Sequence, residues 1–335
     1  MAAVALGVLA GCDGPARQDA PPPKGAEGPV QYVEFDVSGT FFAPKIELVE
    51  DSAADVVWID LATGHALGNG LSPSLGIDGV QHVGMRAEVE GAPAFDQITT
   101  LNLGFNHEDD YGPLSLPSAY NHDAQPVTGI GGLHQLTSLQ RFCASRGPLA
   151  GVLDVSGLSL LEHVECYQSQ LTGIDLTGCS SLVRLCVEDC QVTELDLNPV
   201  RKSLQDLRAA IQRAAGLAFV PLEGAMESLY HYCVREQVVH GHIPHKHLPV
   251  VEEYWVWGTG QNVSDAPTST LLRSYLARDN VLDQQSVDGI LLAIHELVEA
   301  KPGRVDLSGG SATPTTAGVA AADALSAAGW RVTTG

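Results

Sequence analysis

The sequence predicts an α/β protein organised as a repeat solenoid, with a β-rich cap over residues 29–95, the solenoid over 96–262 and an α/β cap over 263–335. Three observations carry that prediction. Seven stretches fit one template, apolar-x-x-apolar-x-apolar-x-x-small/polar, and three of them run consecutively from Leu139 to Leu197 at spacings of 22 and 21 residues. Each template position keeps its character between copies: Leu161, Val164, Cys166, Ser169 and Leu171 are answered by Leu182, Leu185, Val187, Cys190 and Val192. The tail beyond residue 267 changes texture, to an order of helix, strand, helix, strand.

The cap before the first rung reads as short strands. Val33, Phe35 and Val37 alternate with acidic residues, Ile46 and Leu48 flank Glu47, and Val56 to Ile59 is an apolar cluster between Gly, Pro and Asp-Ser punctuation. Such a module covers the first rung, whose core would otherwise face water. Ile98, Leu101, Leu103 and Asn106 form that rung, with Asn at the ninth position, where its amide can satisfy backbone groups inside a turn. The Pro- and Asp-rich stretch between Asn106 and Leu139 reads as an irregular or inserted rung. Within the central repeats, Leu171, Ile174 and Leu176 and then Val192, Leu195 and Leu197 give a second apolar alternation. Twenty-one residues leave no room for a long helix, so the back of each coil is expected to be extended or 3₁₀. Further rungs fit at Leu204, Leu207, Ala209 and Gln212, where a helix is also open, at Leu229 to Gln237, and at Val251 to Thr259. In the tail, SVDGILLAIHELVEA and TAGVAAADALSAAG have helical character, and Arg304 to Leu307 and Trp330 to Thr333 read as strands.

The middle of the chain, about 98 to 260, resembles the short-repeat leucine-rich-repeat proteins of bacterial surfaces. The N-terminus, residues 1–12, is similar to a bacterial lipoprotein signal: Leu9, Ala10, Gly11 and Cys12 match the lipobox, which implies removal of the apolar run before the cysteine and lipidation of Cys12 as the first mature residue. Residues 13–28, rich in Pro, Gly, Ala and charge, suit a disordered tether. The resemblance implies a lipid-anchored protein of the bacterial cell envelope, periplasmic or surface-exposed, and a secreted one if the LAGC match is fortuitous. The tail is similar to a terminal "VDLSGG…AGW" module of some bacterial and phage surface proteins.

Charge and composition narrow the function. Forty acidic against 18 basic residues give a net charge of −22, which repels phosphate backbones and anionic lipid, so no nucleic-acid partner is expected and membrane contact only through the anchor. No Gly-x-Ser-x-Gly, His-Glu-x-x-His, P-loop or dinucleotide fingerprint occurs, so no catalytic residues and no cofactor are assigned, and a non-enzyme is expected. Positions three, five and seven of the template lie on one open face. They place Arg141, His163, Glu165, Tyr167, Arg184, Glu188, Arg208, His231, Arg235, Trp255 and Trp257 as a candidate face for a protein or glycan partner, Trp and Arg being the types that dominate interface energetics. A structural spacer in a surface or phage-related assembly is the alternative. A third candidate is a metal site of His240, His242, His245 and His247, because His-x-His in extended backbone sends both rings to one side. Cys143, Cys186 and Cys233 fall on the open face at position five. Cys143 and Cys186 would be two rungs, roughly 10 Å, apart, beyond disulfide reach. The cysteines read as small apolar fillers, with Cys179 alone placed to pair.

Overall fold

A computed structural model describes residues 31–104, 124–297 and 302–335. Cys12, the tether 13–28, Asn106 and most of the irregular stretch before Leu139 lie outside the described residues. The frame is an eleven-stranded sheet. Ten strands are parallel, one per coil: Ile98–Asn102, Arg141–Cys143, His163–Glu165, Arg184–Cys186, Asp206–Arg208, His231–Cys233, Glu253–Trp255, Ser274–Leu276, Arg304–Leu307 and Arg331–Thr334. Coils repeat at about 22 residues. The register is the one the template gives, with Arg141, His163, Arg184, Asp206, His231 and Glu253 directly aligned. Leu101, Phe142, Val164, Leu185, Leu207, Tyr232, Tyr254, Tyr275 and Val305 therefore stack in one inward column, all buried. A one-residue slip anywhere would turn this apolar column to the open face, and that fixes the register.

Each strand ends in the same turn. Arg146, Gln168, Asp189, Ile211, Glu236, Gly258, Asp279 and Gly309, at the eighth template position of eight successive coils, all have left-handed backbone with φ between 54° and 85°. The kink lets the ladder continue past the strand: the Cys166 N–H donates to the Cys186 carbonyl at 2.8 Å and the Gln168 N–H to the Glu188 carbonyl at 2.9 Å. Ninth-position side chains then fill the turn. Gln212 accepts from the Val192 N–H at 2.8 Å and donates to the Val187 carbonyl at 2.6 Å, and Gln237 repeats this with the Gln212 N–H and the Ala209 carbonyl. Asn280 does the same for the Thr259 N–H and the Val256 carbonyl. Backbone groups removed from water are thereby satisfied. Ile211 is the misfit of the column, because a β-branched residue is strained at φ 55°. Replacing Ile211 by Asn, which tolerates this conformation, should raise stability by about 1 kcal/mol in urea unfolding; a loss would show that packing of the half-buried isoleucine outweighs the strain.

The back of the coils is extended, as expected from the second alternation. Ala150–Asp154 pairs with Gln170–Asp175, and Glu194–Leu195, Leu217–Phe219 and Val239–His240 form another small parallel sheet. The stretch from Leu204 to Gln212 is a rung, not a helix, because Leu204, Leu207 and Ala209 are all core residues in that register. The protein is thus a β-solenoid with few helices, which corrects the α/β class predicted for it. α1 (Gln284–Leu297) and α2 (Thr316–Ala327) cross the back of only the last two intervals, Ser274 to Arg304 and Arg304 to Arg331. The tail has its predicted element order, but its strands are rungs of the same sheet. Asp288 of α1 accepts from the Thr315 N–H and hydroxyl at the start of α2, fastening the helices together.

At the other end, an antiparallel sheet packs Phe35, Phe42 and Trp58 ring against ring at 5.6–5.8 Å. Lys45–Leu48 pairs antiparallel with Ile98–Asn102, and Val127–Gly131 returns to pair with Val33–Val37, so the module is stitched to the first rung. Among the described residues no helix is long and apolar enough to cross a membrane.

Candidate functional site

Parity puts positions three, five and seven on the open face of the long sheet, and this is where the structure places every residue predicted for a binding face. The face divides into two halves. Over the central strands the charged side chains are packed into one another. Arg184 and Asp206 are each only 1% exposed, and Glu165, Glu188, His163 and His231 are also buried. Asp206 is the hub: its Oδ1 lies 2.6 Å from His231 Nδ1, the Arg208 Nε donates to both its oxygens at 3.1–3.2 Å, and Arg184 Nε stands 3.7 Å away. Arg184 also faces Glu165 at 3.5 Å. Burial pushes the Asp206 carboxyl up, but the His231 hydrogen bond and the charges of His231, Arg208 and Arg184 together bring it below its ordinary value. Glu188, paired with Arg235 at 2.9 Å, is raised because its desolvation outweighs the arginine.

The half formed by the last four strands is open. Trp257 lies between two guanidiniums, Arg235 from the coil before at 4.9 Å and Arg278 from the coil after at 5.2 Å from the ring centroid. Its indole N–H donates to Glu236 at 3.1 Å. Trp255 packs edge-on against His231 at 4.7 Å and donates to Ser274 Oγ at 3.1 Å. Both tryptophans remain part-exposed. One, two and three coils further along the sheet stand Arg278, Arg304 and Arg331, three residues that the sequence reading did not assign to the face. The signal for Arg278 was present, since Leu272, Tyr275, Ala277 and Asn280 fit the template and give one more rung beyond Val251 to Thr259. Tyr167, in the central half, has the Arg146 guanidinium 5.9 Å from its ring.

The four clustered histidines do not converge. Pro244 breaks the extended run and His245–His247 turns as a 3₁₀ helix, so the His-x-His parity is lost. His245 enters the core against Tyr254 at 4.4 Å, while His240 is exposed at the back. Among the described residues no group of three or more His, Cys, Asp or Glu side chains is arranged to hold a metal ion. Nor does a disulfide join any two of the six described cysteines, Cys179 included. Burial, with Glu165 and Glu188 adding to it, pushes the Cys143 and Cys233 thiols up to about 12, and Cys186 is raised by the same causes. Protonated thiols at position five are neither nucleophiles nor metal ligands at neutral pH. What the face offers chemically is hydrogen-bond donors, indole surface and fixed charge. No protein-family model matches the chain, and no curated protein matches it either.

Proposed function

We propose that the chain is a non-enzymatic binding protein of the leucine-rich-repeat type, which engages a protein or glycan partner through the open half of its strand face. The observation that carries this reading is the Arg235–Trp257–Arg278 stack beside Trp255, two part-exposed indoles held rigid on a sheet. Rigid aromatic and arginine side chains bind with little entropy loss. The leucine-rich-repeat assignment is supported by the ninth-position amide ladder and the thin extended backs of the coils. Lipidation at Cys12 and residence in the bacterial envelope belong to the same proposal and rest on the LAGC sequence.

Two experiments test it. Partners captured on the immobilised chain from envelope extracts and on a glycan array should lose about tenfold or more in affinity with Trp257→Ala, without a matching fall in melting temperature. Equal loss of stability and binding would make the tryptophan a structural residue and the face inert. Labelled palmitate should appear on the wild-type chain and not on Cys12→Ser; an unlabelled, soluble product would remove the anchor.

A further inference from the structure

The open half of the face differs from the rest in how its arginines are used. In the central half, Arg184, Arg208 and Arg235 lie against Glu165, Asp206 and Glu188. Around the last three strands stand Arg273, Arg278, Arg304 and Arg331, in a chain of net charge −22. Arg273 is paired with Glu252 at 3.5 Å and Arg304 with Asp306 at 3.0 Å, so that among the described residues Arg278 and Arg331 are the two of these four with no carboxylate at hydrogen-bond distance. Asp306 is buried and committed to Arg304 at 3.0 Å and Ser308 at 2.6 Å. Arg278 is 45% exposed, and its nearest carboxylate oxygen, on Asp279, is 3.9 Å away, beyond hydrogen-bond distance. Yet this guanidinium is not loose, because it is held over the Trp257 ring. Stacking engages the flat face of a guanidinium and leaves the N–H groups around its rim directed outward in the fork that matches a carboxylate. Arg304 and Arg331 are register partners on neighbouring strands, roughly 4.8 Å apart at the backbone. Arg278 is four residues along from Ser274, the register partner of Arg304, which sets it roughly 13 Å down the strand direction at ~3.3 Å per residue. Ser274, Ser308 and Thr333, small residues at positions three, seven and five, leave the space between them low.

The geometry points to an extended acidic peptide segment of a partner protein as the ligand of this face, with one Asp or Glu carboxylate seated on the Arg278 fork and another on Arg331, beside the Arg304–Asp306 pair. This deepens the binding reading above and rests on it. Arginine clusters are a recurrent solution for acidic motifs. Two guanidiniums with no close carboxylate give such a segment a place to dock on a strongly acidic protein.

The test uses the full chain and a Glu-rich decapeptide, followed by tryptophan fluorescence, with a Lys-rich decapeptide and polygalacturonate as comparison ligands. The Glu-rich peptide should perturb the emission, bind more weakly as salt is raised, and lose about tenfold in affinity with Arg278→Gln combined with Arg331→Gln. Arg86→Gln, on the N-terminal sheet, should leave binding unchanged. Near-UV circular dichroism keeps the variants comparable as folded proteins. Equal binding of the Lys-rich peptide, or binding indifferent to the double substitution, overturns the inference. Polygalacturonate binding without peptide binding assigns the same arginines to a glycan and overturns the peptide assignment. Should the acidic peptide fail while a captured partner still depends on Trp257, the inference falls and the binding reading stands; should both fail, both fall.

Discussion

Replacing Asp206 by Ala lowers the unfolding free energy by about 3–5 kcal/mol, the range for breaking a buried ion pair from one side. The expectation follows from what the carboxylate holds. His231 Nδ1 at 2.6 Å, Arg208 Nε at 3.1–3.2 Å and Arg184 Nε at 3.7 Å all converge on it, and Asp206, Arg184 and His231 have almost no contact with solvent. Without the carboxylate, the Arg184 and Arg208 guanidiniums and the His231 ring keep their desolvation and lose a shared acceptor. Asp206→Asn keeps the shape and one acceptor oxygen but not the charge, so its cost should fall between wild type and Asp206→Ala. Urea unfolding at pH 7 measures both. A cost below about 1 kcal/mol for Asp206→Ala would place the network in effective contact with water, where ion pairs contribute little. The network also bears on function, because His231 supports the Trp255 ring at 4.7 Å. Loss of Asp206 is therefore expected to shift Trp255 fluorescence as well as stability.

Why this hub was not legible in advance is a matter of what parity can state. The template fixed which side chains point outward, and the register of the strands Arg141–Cys143 to Glu253–Trp255 follows it residue for residue. Pointing outward is not the same as being exposed. With neighbouring strands about 4.8 Å apart, long side chains such as Arg184, Glu165 and Arg208 lie across one another and bury their own charges. Exposure returns where the residues become small, at Ser274, Ser308 and Thr333, beyond residue 262 where the sequence template ends. The helical texture of the tail masks the coils that continue there. Helices α1 and α2 lengthen the last intervals without interrupting the strand column, and a fixed-period search loses such coils. His240 to His247 failed for the opposite reason. Alternation was legible, but the backbone at Pro244 is not extended through the run, so the parity argument had no strand to act on.

Stability should fall steeply as the pH drops from about 7 to 5, through histidines that the fold keeps neutral. Burial lowers His242 and His245 to about 4, and burial together with Arg141 and Arg184 does the same to His163. Both ring nitrogens of His242, and Nδ1 of His245 and of His163, lack hydrogen-bond partners, so a proton gained there has nothing to offset the loss of water. In the unfolded chain each imidazole takes up its proton near pH 6.5. Between about pH 6.5 and 4 the unfolded state thus binds more protons, and stability is lost as pH falls through that window. A shift of this size gives roughly 2 kcal/mol per fully buried ring at pH 5, less for the part-exposed His242 ring, so the three together should remove about 3–5 kcal/mol. Glu188 acts against this trend, since a carboxyl raised in the folded state gains stability on acidification, but it is one group against three. Asp206 does not contribute until the pH falls below its ordinary range, because its carboxyl is lowered in the folded protein. Urea unfolding at pH 7.5 and 5.0 reads the difference. His245→Phe, which keeps a ring against Tyr254 and Tyr275 and removes one titrating group, should shrink it by about 1–2 kcal/mol. Equal stability at the two pH values would mean that water reaches these imidazoles, and the tight coil described around Tyr232, Tyr254 and Tyr275 would have to be looser than its 5.1 Å ring stacking implies.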